Sequence, residues 1–367
     1  MIYFDSAATT LLKPPQVCAA ADYAIKHFSS PGRGGHAPAV LAAESVFACR
    51  LLAGNLFDAD PDQVVFTMNA THALNIAIAS VAGKGDEVVI SGFEHNAVRR
   101  SLHMIGAKTV IAGRRLFDPE DTLRSFEQLI SVRTKAVVCT HVSNVFGYVL
   151  PIEKIAALCR QKHVPLVIDA SQSAGILPVS LKKTGAAFIA MPGHKSLYGP
   201  QGTGILLCSE VPKPLMAGGT GSLSKEIDMP DFLPDAAEAG THNVAGIHGL
   251  SEGLRFVLAH GVYSIRAKED LLKRYLAGEI RKLPGFHVFE NDQFQTGVLS
   301  FRKENADCEF LAQKLSEQGI CVRAGLHCAP LAHESAGTIN TGTVRISLCW
   351  YNTLQEAEEF VNSLKNC

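Results

Sequence analysis

The sequence holds a single tryptophan, a formal net charge of only −1, and no CxxC pair among its ten cysteines. Each shortage excludes something. With no basic patch alternating with aromatics, there is no electrostatic case for nucleic acid or for an anionic membrane surface. Cysteines scattered singly do not form a disulfide framework. Cys49, Cys139, Cys159 and Cys208 sit in apolar surroundings and read as small buried hydrophobes of a reducing cytoplasm. The opening Met1-Ile2-Tyr3-Phe4-Asp5 has no basic stretch leading into an apolar one, so secretion is not expected. No apolar run is expected to reach the ~20 residues that cross a bilayer. No G-x-G-x-x-G follows the first βα strand, which disfavours a nicotinamide dehydrogenase. His72, His141 and His333 lack ligand spacing, so no metal site is expected. There is no internal repeat and no low-complexity linker.

What is present describes an enzyme. At 367 residues, with 47% hydrophobic and 19% charged content, the chain has room for a large core and either two domains or one with an appendage. Between 60 and 210, short β-branched runs alternate with helix-like segments. The expected strands are Gln63–Thr67, Glu87–Ser91, Thr109–Ala112, Ala136–Val142, Leu166–Ala170, Phe188–Met191 and Gly204–Cys208. Several are apolar on consecutive residues, as strands buried on both faces of a mostly parallel sheet must be. Helices are expected at Thr71–Val81 and Glu153–His163, giving an open α/β sandwich. A helix-rich stretch, Gly246–Leu283, leads into a smaller α+β pattern. Its expected strands are His287–Phe289, Thr296–Phe301 and Val344–Leu348, and its helices Cys308–Gln318 and Thr353–Leu364.

The chemistry concentrates at two blocks. Met191-Pro192-Gly193-His194-Lys195 puts a lysine in a Gly/Pro-rich loop after an apolar run, and Leu166-Val167-Ile168-Asp169 ends a β-run on a carboxylate. An amine to hold an aldehyde and a carboxylate to keep a ring nitrogen protonated are the minimum equipment for pyridoxal phosphate (PLP) chemistry. A helix-length crossover between them can bring both to one crevice at the ends of parallel strands. Asn69-Ala70-Thr71, at a strand-to-helix passage, offers free N–H groups and a helix dipole to a phosphate, although an ordinary cap is the plainer reading of those residues alone.

The blocks Tyr3-Phe4-Asp5-Ser6-Ala7-Ala8-Thr9-Thr10, Phe93-Glu94-His95, Val142-Ser143-Asn144, Asp169/Gln172, His194-Lys195, Glu238-Ala239-Gly240-Thr241 and Arg323-Ala324-Gly325-Leu326-His327-Cys328-Ala329 occur in that order. Together they resemble the class V aminotransferase-fold PLP enzymes, and within these the cysteine desulfurases and selenocysteine lyases, of the shorter-loop group II type. The resemblance runs nearly end to end. It implies the PLP fold type I: an α/β large domain with a mostly parallel seven-stranded sheet, plus a smaller α+β C-terminal domain. The implied division is 15–255 for the large domain, with 1–14 and 256–367 forming the small one that carries the cysteine loop. It also implies a homodimer with active sites at the subunit interface.

Residue by residue, the resemblance implies that Ala70, Thr71 and His194 hold the PLP phosphate, with Thr241 from the neighbouring subunit. His95 stacks on the ring and shuttles protons, Asp169 holds the ring nitrogen and Gln172 the phenolate oxygen. Asn144 contacts that oxygen and a substrate carboxylate, and His36 is a further substrate contact. Arg345 is a charge inside an apolar strand, so an anion must await it. A buried Asp or Glu would serve; the resemblance favours the α-carboxylate of an amino acid. Cys328 alone among the cysteines lies between polar and turn residues, the setting of a reactive thiolate. In the desulfurases this position takes sulfur from the substrate. The sequence departs from the family pattern at Pro192, where many relatives have Ser or Thr, at Leu326, where a second His is common, and over 329–342.

The expected activity is therefore conversion of L-cysteine to L-alanine, with Lys195 as base and Cys328 receiving the sulfur as a persulfide for an acceptor protein. Alternatives are a selenocysteine lyase acting on L-selenocysteine, another PLP reaction such as transamination or racemisation with Cys328 incidental, and a sulfur-relay protein that scarcely turns over.

Overall fold

Seven runs that are apolar on consecutive residues form one sheet, because burying both faces leaves no polar side to alternate with. In chain order the first eight strands are β1 (Ile2–Tyr3), β2 (Val64–Thr67), β3 (Glu87–Ser91), β4 (Lys108–Ala112), β5 (Thr134–Thr140), β6 (Leu166–Asp169), β7 (Phe188–Pro192) and β8 (Gly204–Cys208). The sheet runs β2-β8-β7-β6-β5-β3-β4, and β8 alone is antiparallel to its neighbours. The structure is a computed structural model that describes residues 1–32 and 34–366.

The helices are α1 (Pro15–His27), α2 (Ala37–Phe57), α3 (Ala70–Val81), α4 (Asn96–Met104), α5 (Pro119–Leu129), α6 (Ile152–Gln161), α7 (Leu181–Thr184), α8 (Val244–His260), α9 (Val262–Arg281), α10 (Cys308–Glu317), α11 (Pro330–Ser335) and α12 (Leu354–Lys365). Side chains alternate across the sheet as the pleat requires. Val65, Val88, Ile90, Ala136 and Val138 pack on α3 and α4. Phe66, Val89, Val137, Cys139 and Ile168 pack on α2, α5, α6 and α8. Caps start the helices where the sequence supplies them: Asp118 accepts from Asp121 N and is followed by Pro119, and Thr353 with Glu356 forms a capping box.

A second sheet joins β9 (Phe286–Phe289), β10 (Val298–Lys303), β12 (Arg323–Gly325) and β13 (Thr343–Ser347) in the order β12-β13-β10-β9. The short β11 (Ile320–Cys321) pairs parallel with β1. Leu276, Phe301, Leu311, Val344 and Phe360 are in the core between this sheet and α9, α10 and α12.

Three sequence expectations need correction. The strand expected at Ala136–Val142 starts two residues earlier and stops at Thr140, because Val142 instead bridges to Val149 across a turn. The strand expected at Thr296–Phe301 begins at Val298; Thr296 N bonds Gly147 O outside the ladder. The expectation that no apolar run is long enough to span a membrane fails at α2, which has the length and composition to do so. Its interruptions at Glu44 and Arg50 are too few to disqualify it, yet its inner side packs into the sheet's core and Arg50 is buried against Glu238. That is the pattern of a core helix.

Candidate active site

The strand ends of the large sheet converge on one cleft, lined by Ala70, Thr71, His95, Asn144, Asp169, Gln172, His194 and Lys195 among others. This is the crevice at the carboxyl ends of an open sheet, the place where such folds bind their ligands. Asp169 closes β6 at 2% exposure, with one carboxylate oxygen accepting from Ser171 N at 2.9 Å. Lys195 follows β7 in a loop closed by Gly193 N to Thr203 O and Gly199 N to Gly193 O. A Cβ on Gly193 would sit 2.2 Å from the Thr203 hydroxyl, so this loop cannot close around a larger residue.

Electrostatics follow from burial. Desolvation pushes the Lys195 amine down from 10.5 to about 8, against the pull of Asp169, with Arg345 and Arg323 adding to the fall. His95 caps α4, its Nδ1 accepting from Ala97 N at 3.0 Å, so a neutral ring carries its proton on Nε2. Burial takes His95 down to about 4 in spite of Asp169. His194 is likewise held near 4 by burial, Lys195 and Lys13.

One contributor went unread in the sequence. Glu94 is fully buried and bridges β3 to β5 by accepting from Ser91 N, Ser91 Oγ and Thr140 N. Burial pushes it up to about 8, so at neutral pH it is largely a neutral acid just ahead of His95. Only its place in the Phe93-Glu94-His95 block gave any signal.

The first fourteen residues lie across the cleft as a strap. Ala7 O accepts from Gln172 Nε2 at 3.0 Å. The His194 carbonyl accepts from Thr9 Oγ1, Thr10 Oγ1, Thr10 N and Lys13 Nζ, and the Thr9 hydroxyl also bonds His194 Nδ1 at 3.0 Å. Asp5 reaches Arg345, 2.5 Å from Nη2, while Arg345 Nη1 donates to Asn144 O at 2.9 Å. Arg345, 1% exposed, thus already has a carboxylate inside the chain, and among the described residues only its Nε finds no partner. Arg345→Ala should cost about 3 kcal/mol of folding stability in urea melts, because it strands a partly buried carboxylate. Asp5→Asn should cost less, since an amide can still accept from the guanidinium.

Cys328 is exposed, on a turn after β12, with Arg323 Nη2 at 3.6 Å from its sulfur. The Arg323 guanidinium thus lies beside the thiol and can donate to its sulfur. Arg323 pairs across the ladder with Arg345, and its role was not read from the sequence even though it opens the Cys328 block. The turn is tied to the cleft by Asn96 N to Cys328 O at 2.7 Å and Asn144 Nδ2 to His327 O at 2.8 Å.

Of the expected site residues, Arg345 and Cys328 are outside the cleft's lining but tied to it at Asn144 through Arg345 Nη1 and the His327 carbonyl, and two others lie elsewhere. His36 is exposed at the N-cap of α2 and is not among the cleft's lining. Thr241 lines a separate cleft with Arg50, Glu238 and His242. There Glu238 accepts from Phe66 N at 2.7 Å and pairs with Arg50 and His242, which hold its carboxylate below the usual range despite burial.

The donor set fits pyridoxal phosphate. Among the described residues, the backbone N–H groups of Ala70 and Thr71 that open α3 have no hydrogen-bond partner, while the Asn69 cap serves His72 N, so the helix start is available to a phosphate. A buried carboxylate and an amine that burial lowers to about 8 line the same cleft.

A fold of this kind, with a lysine and an aspartate at the ends of neighbouring parallel strands, defines a class, and comparison with known proteins places the chain within it. The family model for class V aminotransferases matches residues 2–360. A protein of Methanothermobacter thermautotrophicus named probable cysteine desulfurase is 32% identical, over 97% of this chain and 92% of that protein. Among solved structures, the cysteine desulfurase of Thermococcus onnurineus superposes with a TM-score of 0.89 at 28% identity, covering 100% of this chain and 94% of the other. A cysteine desulfurase of Escherichia coli superposes at 0.87 and 27%, covering 99% and 94%. The chain belongs to the class V aminotransferase family, with the fold type I architecture, and its relatives there are cysteine desulfurases.

Proposed function

We propose that this chain is a PLP-dependent cysteine desulfurase that converts L-cysteine to L-alanine and takes the sulfur onto Cys328. The observation that carries the reading is Cys328 itself: an exposed thiol beside Arg323, on a turn hydrogen-bonded to Asn144, which lines the Lys195–Asp169 cleft, and to Asn96, next to His95 of that cleft. Bound in that cleft, PLP supplies the electron sink that lets an amino acid lose its Cα proton. Asp169 keeps the ring nitrogen protonated, Gln172 meets the phenolate oxygen, and Ala70, Thr71 and His194 hold the phosphate. Lys195 holds the cofactor and then takes the Cα proton, while neutral His95 stacks on the ring and relays a proton. Asn144 receives the substrate carboxylate, and Arg345 joins it by exchanging the Asp5 carboxylate for the substrate's. The Cys328 thiolate attacks the substrate sulfur; the carbon–sulfur bond breaks, its electron pair stays with carbon, which is protonated, and a persulfide remains.

The working unit in this reading is a homodimer. Its support is the outer side of α2, where Val40, Leu41, Phe47 and Leu51 are exposed together, and the separate cleft that holds Thr241 apart from its own Lys195. Residues 15–255 form the cofactor-holding domain, and 1–14 with 256–367 the domain that carries Cys328. An acceptor protein takes the persulfide sulfur onward. All nine described cysteines are free thiols, which supports a reducing compartment such as the cytoplasm.

The test is to incubate the protein loaded with PLP with L-cysteine and, separately, with L-selenocysteine, then to quantify alanine, sulfide and selenide. Alanine from L-cysteine in step with persulfide is the expected result. Alanine from selenocysteine alone moves the activity to a lyase, and pyruvate in place of alanine moves it to another class V reaction.

A further inference from the structure

The turn that presents Cys328 needs an explanation of its own. His327 and Cys328 are consecutive non-glycine residues in left-handed backbone, with φ of 50° and 57°. Side chains with a Cβ disfavour that region, and two in a row persist only where contacts hold them. The hydrogen bonds from Asn96 N and Asn144 Nδ2 act on the carbonyls of Cys328 and His327. A third restraint acts on the His327 ring, which is buried beneath the turn.

The His327 Nε2 lies 3.2 Å from Arg323 O, its Nδ1 lies 3.3 Å from His333 Nε2, and His333 Nδ1 lies 2.8 Å from Thr338 Oγ1. A carbonyl oxygen can only accept, so His327 carries its proton on Nε2. Its Nδ1 then accepts, which puts the His333 proton on Nε2, and His333 Nδ1 accepts in turn from the Thr338 hydroxyl. Every donor and acceptor is used once, and a second proton on either ring would face another N–H. The rings lie nearly parallel, 12° apart, and His333 is fully buried. Burial pushes His333 down to about 4, and burial with Arg345 takes His327 to about 2, so both remain neutral at any working pH.

We infer that His333 is a positioning residue: it fixes the proton and orientation of the His327 ring, and through that ring the turn that sets Cys328 beside Arg323. The assignment rests on reading Cys328 as the sulfur acceptor. Removing His333 leaves His327 Nδ1 buried without a donor. A ring that turns to satisfy it releases Arg323 O, and with it the start of the turn.

The test compares wild type, His333→Ala and His333→Gln by alkylation of the PLP-loaded protein with iodoacetamide. Peptide mass spectrometry reads Cys328 against exposed Cys18 in the same molecule. In His333→Ala, Cys328 should alkylate about threefold more slowly or less readily still relative to Cys18, as its cation moves away. In parallel, kcat for L-cysteine should fall on the order of tenfold with KM little changed, the signature of a misplaced reacting group. Glutamine can offer an N–H at the same reach and should restore both readings, which a purely space-filling role would not require. Wild-type alkylation in a folded alanine variant, or a glutamine variant as impaired as alanine, overturns the assignment. If His333→Ala does not fold by circular dichroism, the near-isosteric Thr338→Val carries the same test: slower Cys328 alkylation supports the relay, and an unchanged rate refutes it. Should Cys328 prove dispensable for alanine release, the alkylation arm still decides on His333, because it reads the thiol and not the turnover.

Discussion

Replacing Cys328 by alanine should stop alanine release from L-cysteine while leaving substrate capture in place. Lys195, Asp169 and Arg345 remain in the variant, so L-cysteine should still perturb the cofactor's absorption. With no thiolate to receive the sulfur, turnover should fall on the order of a hundredfold or more. Wild-type protein treated with L-cysteine should gain one sulfur mass on the peptide containing Cys328, and the variant should gain none. With L-selenocysteine the loss should be smaller, because selenium is the better leaving group. Alanine formation by the variant at the wild-type rate would make Cys328 a bystander and would falsify the desulfurase reading.

The second large effect belongs to Lys195. Borohydride added to the PLP-loaded protein should fix the cofactor covalently to the peptide containing Lys195, and Lys195→Ala should retain none after dialysis under denaturing conditions. Because the amine titrates near 8, its unprotonated fraction grows about tenfold per pH unit below that value and levels off above it. The rate at which the empty protein captures PLP should therefore rise from pH 6 to pH 8 and then flatten. A rate already flat at pH 6 would mean that the amine is not depressed by burial or is not the capturing group. Label on another lysine would remove Lys195 from the role altogether.

Much of this site was legible in the sequence because its parts sit at strand ends. The runs Glu87–Ser91 and Gly204–Cys208 are strands over the bounds their apolar residues suggest. Asp169 and Lys195 meet because a parallel sheet delivers its carboxyl ends to one edge. What was not legible depends on distance along the chain or on turns. Strands β1, β11 and β12 have two or three residues each, too few for any period to show. Asp5 and Arg345 are 340 positions apart, and no local pattern announces their ion pair. His333 follows His327 by six residues, a spacing that neither helix nor strand turns into a contact; the left-handed turn does. The sequence reading also passed over the length and apolar composition of α2, whose character as a core helix shows only in its packing and in the partner of Arg50.

The strap formed by residues 1–14 carries a practical consequence for anyone handling the protein. It holds Asp5 against Arg345, Ala7 against Gln172, and Thr9, Thr10 and Lys13 against His194. An aminopeptidase that trims a dozen residues would leave Lys195, Asp169 and Cys328 in the chain, and a gel would scarcely register the change. Yet it would strip supports from the phosphate side, the ring side and the arginine in one cut. Preparations should therefore be checked by intact mass at the amino end before low activity is blamed on the cofactor, and affinity tags belong at the other terminus.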